Sequence, residues 1–277
     1  MKHDKYDIRP GQSVALLQAL HILTRDGRMN QDSHRKLKQV YHLYQFIEPL
    51  LLEIQQAYSI INLVDHGAGK SYLGFILYDL FFKMSGKSAH IYGIETRAEL
   101  VRNSQELAEK LGFTGMSFLN LSVAESIKST ELPAQINMVT ALHACDTATD
   151  DAIRFAIRRN AQFMVLVPCC QAEVAAELRK DKSKARSENP LAELWRHAIH
   201  TREFGSHITN VLRCLQLEAH GYQVTVTELV GWEHSMKNEL IIARYKNLPR
   251  KTAADKLSAM LRTLGLEEMH TRFFVDI

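Results

Sequence analysis

The sequence has few cysteines and no long apolar run, and each absence excludes a class of protein. Its four cysteines, two of them adjacent, do not suggest the framework of a disulfide-stabilised secreted protein. Asp79 interrupts the longest apolar stretch before it reaches the roughly 18 residues of a membrane-spanning helix. The N-terminus reads Met-Lys-His-Asp-Lys-Tyr-Asp and lacks an apolar signal region. We therefore expect a soluble, cytoplasmic protein without a membrane partner.

The chain also has little net charge. A net charge of +3 over 277 residues does not identify a nucleic-acid-binding protein by itself. Hydrophobic residues make up 46% of the chain, which is enough to bury a large core. Length and composition together fit one catalytic α/β domain with additional segments.

Residues 63–70 read Leu-Val-Asp-His-Gly-Ala-Gly-Lys and are the most informative stretch of the chain. They overlap the end of an apolar run of strand length, 58–64, and precede a helical pattern, 72–82. Strand, glycine turn and helix in this order form a crevice for a nucleotide-like ligand. The glycines allow the backbone to approach that ligand, because a side chain would block it.

Two other nucleotide-binding motifs are incomplete in this turn. A phosphate-binding Walker loop requires a glycine five residues before the Gly-Lys-Ser of 69–71, and that position is Val64. A dinucleotide fingerprint requires a third glycine where Tyr72 stands. The remaining pattern, Asp-x-Gly-x-Gly, resembles motif I of the class I S-adenosylmethionine-dependent methyltransferases. The resemblance implies that the amino-acid moiety of that cofactor lies near Asp65, Gly67 and Gly69, and that Ala68 between the glycines also contacts the cofactor.

A second strand is predicted over 89–95, and it ends in the carboxylate of Glu95. A carboxylate at the end of the second strand can accept two hydrogen bonds from a ribose diol, as it does in dinucleotide folds. We therefore predict that Glu95 binds the ribose of the cofactor.

Further strand-like runs alternate with helical segments along the chain. Three short apolar runs, at 116–122, 136–143 and 162–168, indicate a parallel sheet covered on both faces. Two late runs, 223–230 and 239–245, are joined without a long helix, as at the end of the class I methyltransferase sheet. We predict an α/β fold of that class. Its sheet is Rossmann-like, mostly parallel and seven-stranded, with a terminal antiparallel hairpin and with helices at both ends of the chain.

Three segments are predicted along the chain. An N-terminal helical segment occupies 1–57, the methyltransferase domain 58–247 and a C-terminal helical tail 248–277. Asp32 or Ser33 is expected to cap a long helix that reaches about Gln56. Pro49 is expected to bend or break that helix, because proline lacks the amide hydrogen that a helix uses.

Polar and thiol side chains follow the fourth and fifth predicted strands. The fourth strand ends in Leu-His-Ala-Cys-Asp at 142–146, and the fifth in Val-Pro-Cys-Cys at 167–170. Residues after strand ends line the ligand crevice of an open α/β sheet. Such side chains are candidates for proton transfer, nucleophilic attack or metal binding. The candidate catalytic residues are His143, Cys145, Asp146, Cys169 and Cys170, and His143 is also expected to contact the cofactor.

These motifs together resemble a narrower group. Asp-x-Gly-Ala-Gly-Lys, Leu-His-Ala-Cys-Asp and Val-Pro-Cys-Cys are similar to the methyltransferase domain family of methyltransferase-like protein 25 and its relatives, which include a glutathione-transferase C-terminal-domain protein. The resemblance covers roughly residues 35–245. It implies that S-adenosylmethionine is the cofactor and that its adenine lies near Ser122, where related enzymes often have aspartate.

Four interpretations of the thiols remain open. Cys169 and Cys170 fill a tight strand–helix turn as small buried residues, or Cys145 and Cys170 shape a substrate pocket around His143 and Asp146. Alternatively, a thiolate adds to a pyrimidine before methylation at C5, as in RNA 5-methylcytosine enzymes, which place thiols at positions similar to Cys145 and Cys169. In the last interpretation the thiols belong to a zinc site. The residue types suit zinc, but no spaced cysteine pair supports such a site. Its ligands would be His143, Cys145, Cys169 and Cys170.

The acceptor of the methyl group is indicated only weakly. No Asn/Asp-Pro-Pro-Tyr motif follows the fourth strand, which argues against methylation of an adenine amino group. His143 and Asp146 can orient or deprotonate another nucleophile, or His143 can cap the next helix. A basic run at 179–186 either contacts phosphates or forms a solvated loop. We favour RNA as the acceptor, over a protein, a small molecule or a cofactor-binding regulatory role. The predicted RNA contacts are Arg179, Lys180, Lys182, Lys184 and Arg186.

Overall fold

The computed structural model describes residues 8–24, 26–27, 29, 31–84, 88–142, 144, 146–168, 171–180, 190–229 and 239–274. It divides into two compact units, Met1–Leu121 and Ser122–Ile277. The strands are β1 Ile60–His66, β2 Ser88–Ile94, β3 Met116–Leu119, β4 Met138–Leu142, β5 Phe163–Val167, β6 Tyr222–Glu228 and β7 Glu239–Tyr245. They form a seven-stranded sheet in the order β3-β2-β1-β4-β5-β7-β6.

This strand order confirms the predicted fold class. The pairs β1–β2, β2–β3 and β4–β5 are parallel, whereas β7 runs antiparallel to both β5 and β6. A mostly parallel Rossmann-like sheet that ends in an antiparallel hairpin is the architecture expected from the sequence. The strand bounds differ from the predicted ones by a few residues, so that Glu95 lies directly after β2 rather than at its last position.

Strands β1 and β2 pair without a bulge along their whole length. Ile60 lies opposite Ser88, and the same offset continues to His66 opposite Ile94. Most of β1 after its first residues is buried, as expected for a parallel strand with both faces covered. The register therefore places the two strand ends side by side, and the turns that follow them begin at the same edge of the sheet.

The helices alternate with the strands and continue at both ends of the chain. They are α1 Val14–Ala19, α2 Gln31–Ala57, α3 Tyr72–Leu80, α4 Ala98–Leu111, α5 Val123–Lys128, α6 Thr147–Arg158, α7 Glu173–Lys180, α8 Ala198–Ala219, α9 Lys251–Thr263 and α10 His270–Phe273. Short 3-10 helices lie at Phe82–Met84, Pro190–Trp195 and Glu267–Met269. Among the described residues, none of these helices is both long enough and apolar enough to cross a membrane.

Pro49 does not break the N-terminal helix. Helix α2 is continuous from Gln31 to Ala57, although Pro49 lies inside it and removes one intrahelical hydrogen bond. The buried stripe of α2, which includes Ile47, Leu51 and Ile54, offsets that loss. The predicted break was therefore wrong, because packing outweighs the lost hydrogen bond, and a bend at Pro49 stays a prediction.

Asp79, which interrupts the apolar stretch in the sequence, is buried in α3. Its Oδ2 accepts a hydrogen bond from the backbone amide of Ser13 at 2.8 Å, and its Oδ1 lies 3.2 Å from Nζ of Lys83. Ser13 is the N-terminal cap of α1, so the carboxylate fastens the start of α1 to α3. The charge is tolerated because it has partners in the interior of the first unit.

The C-terminal helices belong to the core of the second unit. Leu257 and Leu261 of α9 share one buried apolar cluster with Leu178 of α7 and Leu212 of α8. The described part of the predicted C-terminal tail, up to residue 274, therefore contributes to the core of the second unit. The predicted domain boundaries at 57 and 247 stay a prediction.

Candidate functional site

The turn after β1 has an unusual backbone. Gly67, Gly69 and Ser71 have φ angles of 66°, 58° and 48°, which lie in the left-handed region. Glycine adopts this region without strain, whereas Ser71 does not. The amide of Ala68 donates to the carbonyl of Ile94 at 2.9 Å, and the amide of Ser71 donates to the carbonyl of Ala68 at 2.7 Å. The predicted cofactor-binding residues 67–69 thus form a tight turn that is fastened to the end of β2.

Asp65 stabilises this turn through a hydrogen bond with Ser71. Its carboxylate is 2% exposed and accepts a hydrogen bond from the hydroxyl of Ser71 at 2.9 Å. Gly74 of α3 packs closely beside the pair, because an added Cβ would lie 2.5 Å from Oγ of Ser71 and 3.4 Å from Oδ2 of Asp65. The structure brings Asp65 next to the glycine turn, as expected. Its contact with a cofactor stays a prediction.

Glu95 is the acceptor at the end of β2. Its Oε2 accepts from the amide of Gly69 at 2.9 Å and from Nη2 of Arg97 at 3.1 Å. Its Oε1 accepts from the amide and from Nε of Arg97, both at 3.0 Å, and from the hydroxyl of Thr96 at 3.3 Å. Burial alone would raise the pKa of Glu95, but the bonds from Arg97 and Gly69 outweigh it and lower the pKa to about 2. Glu95 is therefore ionised at neutral pH.

Two residues that contact Glu95 were missed in the sequence. Arg97 follows it by two positions, and its side chain is 67% exposed. Asn120, directly after β3, donates from Nδ2 to the carbonyls of Glu95 at 2.9 Å and Thr96 at 2.8 Å. The position of Asn120 after a strand end is the sequence signal that would have identified it. Together they hold the turn after β2 in place.

His66 is a third residue that sequence reasoning did not select, although it lies within the glycine-turn motif. Its side chain is only 4% exposed, and burial lowers its pKa to about 4, against the opposing effect of the Glu95 carboxylate. The ring is therefore uncharged at neutral pH. A buried neutral imidazole at this position adds no charge beside Glu95.

Ser122 begins the second unit, and its polar groups have local partners. It is the N-terminal cap of α5, where its hydroxyl donates to Oε2 of Glu125 at 2.6 Å and accepts from the Glu125 amide at 3.4 Å. Its own amide also donates to Glu125, at 2.7 Å. This reciprocal arrangement is a capping box, which satisfies the first turn of the helix. The predicted contact of Ser122 with adenine stays a prediction.

Asp146 is the one predicted catalytic residue that lies within the described residues. It has a φ of 51° and a ψ of −121°, which is a strained conformation for a residue other than glycine. Its Oδ1 accepts from the amide of Ala172 at 2.9 Å and from that of Glu173 at 3.2 Å. Asp146 therefore precedes α6 and at the same time caps the start of α7.

A buried arginine supports the same turn. Arg213 of α8 donates from Nη2 to the carbonyl of Asp146 at 2.9 Å, and it pairs with both carboxylate oxygens of Asp150 at 2.7 Å. The hydroxyl of Thr149 donates to the carbonyl of Ala144 at 2.6 Å. These bonds hold the backbone on both sides of position 145.

The network continues through Asn210 to two other strand ends. Oδ1 of Asn210 accepts from Nη1 of Arg213 at 3.1 Å and from Nε2 of Gln171 at 3.0 Å, and its Nδ2 donates to Glu239 at the start of β7. Gln171 is also held by the hydroxyl of Ser206, which donates to Oε1 at 2.8 Å. One buried network thus fixes residues that follow β4, follow β5 and begin β7.

The other predicted rim residues, His143, Cys145, Cys169 and Cys170, lie outside the described residues, and so does the zinc site that they would form. Within the described part of the chain, no group of three or more potential metal ligands occurs. Of the predicted basic run, Arg179 and Lys180 are exposed at the end of α7, where Lys180 pairs with Glu177 at 2.6 Å. Lys182, Lys184 and Arg186 lie outside the described residues.

Known proteins that are similar to this chain include methyltransferases. A family model described as a methyltransferase domain matches residues 35–177, slightly more than half of the chain. The chain is also 25% identical, over 205 residues, to a glutathione S-transferase C-terminal domain-containing protein homolog from Drosophila melanogaster. That match covers 66% of this chain and 33% of the fly protein, so the chain spans about a third of the length of its relative.

Two of the solved structures with a similar fold are methyltransferases. Magnesium protoporphyrin IX methyltransferase from Synechocystis PCC 6803, with bound S-adenosylmethionine, is 11% identical, with a TM-score of 0.47 over 86% of this chain and 100% of that chain. A S-adenosylmethionine-dependent methyltransferase from Aquifex aeolicus is 16% identical, with a TM-score of 0.41 over 78% of this chain and 98% of that chain. At this level of similarity the strand order described above carries the fold assignment.

Proposed function

This chain belongs to the methyltransferase domain family, and on that premise we propose that it transfers the methyl group of S-adenosylmethionine to RNA. One observation carries the cofactor assignment: the left-handed glycine turn of 67–69 is joined through the Gly69 amide to the ionised carboxylate of Glu95. Bare backbone and a carboxylate acceptor at adjacent strand ends suit a ligand with an amino-acid moiety and a ribose. The motifs also support a narrower placement among the relatives of methyltransferase-like protein 25.

The residues of the first unit fit this cofactor in charge and in hydrogen-bonding type. Glu95 is an acceptor for ribose hydroxyls and stays ionised, because its pKa is held at about 2. His66 is neutral near pH 7, so its buried ring adds no positive charge beside a sulfonium-bearing ligand. Asp65 and Ser71 hold the turn in its left-handed conformation. When bound, S-adenosylmethionine supplies an activated methyl group.

Asp146 is assigned a positioning role rather than proton transfer. Its Oδ1 accepts two backbone amides at the start of α7, so the carboxylate is used to hold the turn after β4 against that helix. His143, three residues earlier in the sequence, is then the candidate for deprotonating the acceptor, because histidine exchanges protons near neutral pH.

RNA is proposed as the acceptor on the strength of the basic run. Arg179 and Lys180 are exposed at the end of α7, and three more basic residues follow by position 186. A cluster of exposed cations contacts phosphate groups irrespective of base sequence.

The proposed function is tested by following a labelled methyl group. The purified protein is incubated with methyl-labelled S-adenosylmethionine and extracts of cells that lack the gene, and RNA, protein and small molecules are then separated. We expect label in RNA, and none with a Gly67→Val variant, in which a branched side chain obstructs the cofactor turn. Label only in protein or small molecules would contradict the acceptor. Absence of S-adenosylhomocysteine binding in calorimetry would contradict the cofactor.

A further inference from the structure

The hydrogen-bonding capacity of Glu95 is already filled by the protein itself. A carboxylate offers about four lone-pair positions on its two oxygens. Five donors lie within 3.3 Å of these oxygens: the amides of Gly69 and Arg97, Nε and Nη2 of Arg97, and the hydroxyl of Thr96. A ribose diol therefore finds no open acceptor on Glu95 while all of these donors remain.

The donors differ in how easily they can leave. The amides of Gly69 and Arg97 belong to backbone that is fixed by the turns after β1 and β2. The guanidinium of Arg97 is at the end of a flexible side chain that is 67% exposed. Released from Glu95, the guanidinium returns to water, and the ribose hydroxyls replace its two hydrogen bonds on a carboxylate that is only 8% exposed. The two side-chain bonds of Arg97 are therefore the ones that can be exchanged.

The geometry of these two bonds matches what a diol requires. Nε donates to one oxygen of Glu95 at 3.0 Å, and Nη2 donates to the other oxygen at 3.1 Å. A planar guanidinium presents two parallel N–H donors to a carboxylate. Two adjacent hydroxyl groups of a ribose present two O–H donors to the same pair of oxygens.

We propose that the guanidinium of Arg97 occupies the acceptor positions of Glu95 that a ribose diol takes, so that Arg97 competes with the cofactor and is displaced when it binds. This inference rests on the proposed function, since it concerns the same cofactor. Competition of this kind weakens the apparent affinity, because the cofactor binds only those molecules in which Glu95 is free of Arg97. The apparent dissociation constant is the intrinsic one divided by that fraction. Competition also makes affinity depend on ionic strength, because the Arg97 member of the pair is exposed to salt.

The first test compares dissociation constants for S-adenosylhomocysteine by isothermal titration calorimetry. Arg97→Ala is expected to bind about threefold to tenfold more tightly than the wild type. Raising the salt concentration from about 50 to about 500 mM should lower the dissociation constant of the wild type. The dissociation constant of Arg97→Ala should not change. Arg102→Ala is the matched control, because it removes an exposed positive charge from the same helix, α4.

A second test uses ligands with and without the diol. Adenosine should bind more tightly to Arg97→Ala than to the wild type in ligand-observed NMR. For 2′,3′-dideoxyadenosine, which cannot replace the guanidinium, the two proteins should bind equally. Weaker or unchanged binding of S-adenosylhomocysteine by Arg97→Ala would overturn the inference alone. Failure of every variant, wild type included, to bind it would overturn the proposed function as well.

Discussion

Arg213 and Asp150 form a two-fold hydrogen-bonded ion pair inside the second unit, with both N–O distances at 2.7 Å. Arg213 is fully buried and Asp150 is 3% exposed. Removal of one partner leaves the other charge buried without compensation. We therefore expect Arg213→Ala to lower the free energy of unfolding by about 3–5 kcal/mol in urea denaturation.

A control on the same helix separates burial from charge. Arg202 pairs with Glu203 at 2.9 Å on the surface of α8, where their side chains are 57% and 43% exposed. Arg202→Ala should cost less than about 1 kcal/mol, because water screens this pair. Equal losses in the two variants would show that burial of the Arg213 pair has no consequence.

The glycine turn is tested by two substitutions with the same backbone cost. Gly69 has a φ of 58°, and Gly112, the C-terminal cap of α4, has a φ of 68°. Alanine at either position is strained by about 1 kcal/mol. The added Cβ has room in both places, with nothing closer than 3.8 Å at Gly69 and nothing within 4 Å at Gly112.

Only Gly69→Ala should weaken cofactor binding, because its added methyl group lies on the turn that the ligand approaches. We expect its affinity for S-adenosylhomocysteine to fall by about tenfold in calorimetry, or about 1.4 kcal/mol. Gly112→Ala should lose similar stability and keep its affinity. A similar loss of affinity in both variants would mean that stability alone controls binding.

His66 makes the protein sensitive to acid. Burial lowers its pKa from 6.5 to about 4 in the folded state, although the adjacent Glu95 carboxylate opposes the shift. Between these values the unfolded chain binds more protons than the folded one, so stability is complete above about pH 6.5 and falls towards pH 4. The contribution of His66 at pH 5 should be about 2 kcal/mol less favourable than at pH 7.5.

The measurement is urea denaturation at these two pH values, with His66→Gln as the comparison. The difference between the two pH values should shrink by about 2 kcal/mol in the variant. His90, whose pKa is also lowered by burial, keeps its own contribution in both proteins. An unchanged pH difference in His66→Gln would assign the acid sensitivity to other groups.

The basic run should determine how RNA binding responds to salt. Neutralising Lys180, Lys182, Lys184 and Arg186 together should weaken RNA binding, because each phosphate contact releases counterions. The slope of log affinity against log salt should flatten by as much as about 3 for single-stranded RNA. Affinity for S-adenosylhomocysteine should not change.

A control variant removes three exposed positive charges from another helix. Lys251, Lys256 and Arg262 lie on the exposed face of α9. Their combined replacement by glutamine should leave the salt slope nearly intact. A full slope in the first variant would make 179–186 a solvated surface segment.

The thiols are tested by trapping with RNA that contains a 5-fluoropyrimidine. Cys169→Ser and Cys170→Ser should fold, bind the methyl donor and keep measurable activity, whereas His143→Ala should be more damaging. Cys214 of α8 is an inert control, because burial raises its pKa to about 12 and leaves no thiolate at neutral pH. A covalent complex that disappears in only one of the two cysteine variants would establish nucleophilic catalysis instead.

The sequence predicts the sheet well because its signals are local. Each strand is a short apolar run, and glycine turns or helical periodicity separate the runs. The α2 helix is the exception: the sequence shows Pro49 but not the buried stripe of Ile47, Leu51 and Ile54 that keeps the helix continuous.

The candidate site is less predictable, because its partners come from different turns. Glu95 is recognisable as a carboxylate after a strand. Asn120, 25 positions later, contacts it only because β2 and β3 are neighbours in register. Asp146 likewise resembles a proton acceptor in the sequence, whereas the amide of Ala172 engages its carboxylate. Such contacts depend on tertiary packing that no local pattern records.

The unbroken pairing of β1 with β2 determines where the chain can change in length. From Ile60 opposite Ser88 to His66 opposite Ile94, no bulge is present to absorb an insertion or a deletion. Removal of one residue from β1 would turn every later side chain of the strand to the opposite face. Asp65 and His66 would then exchange faces, although their identities were unchanged. Natural relatives should therefore vary in length outside this strand pair, while the seven paired positions keep their spacing.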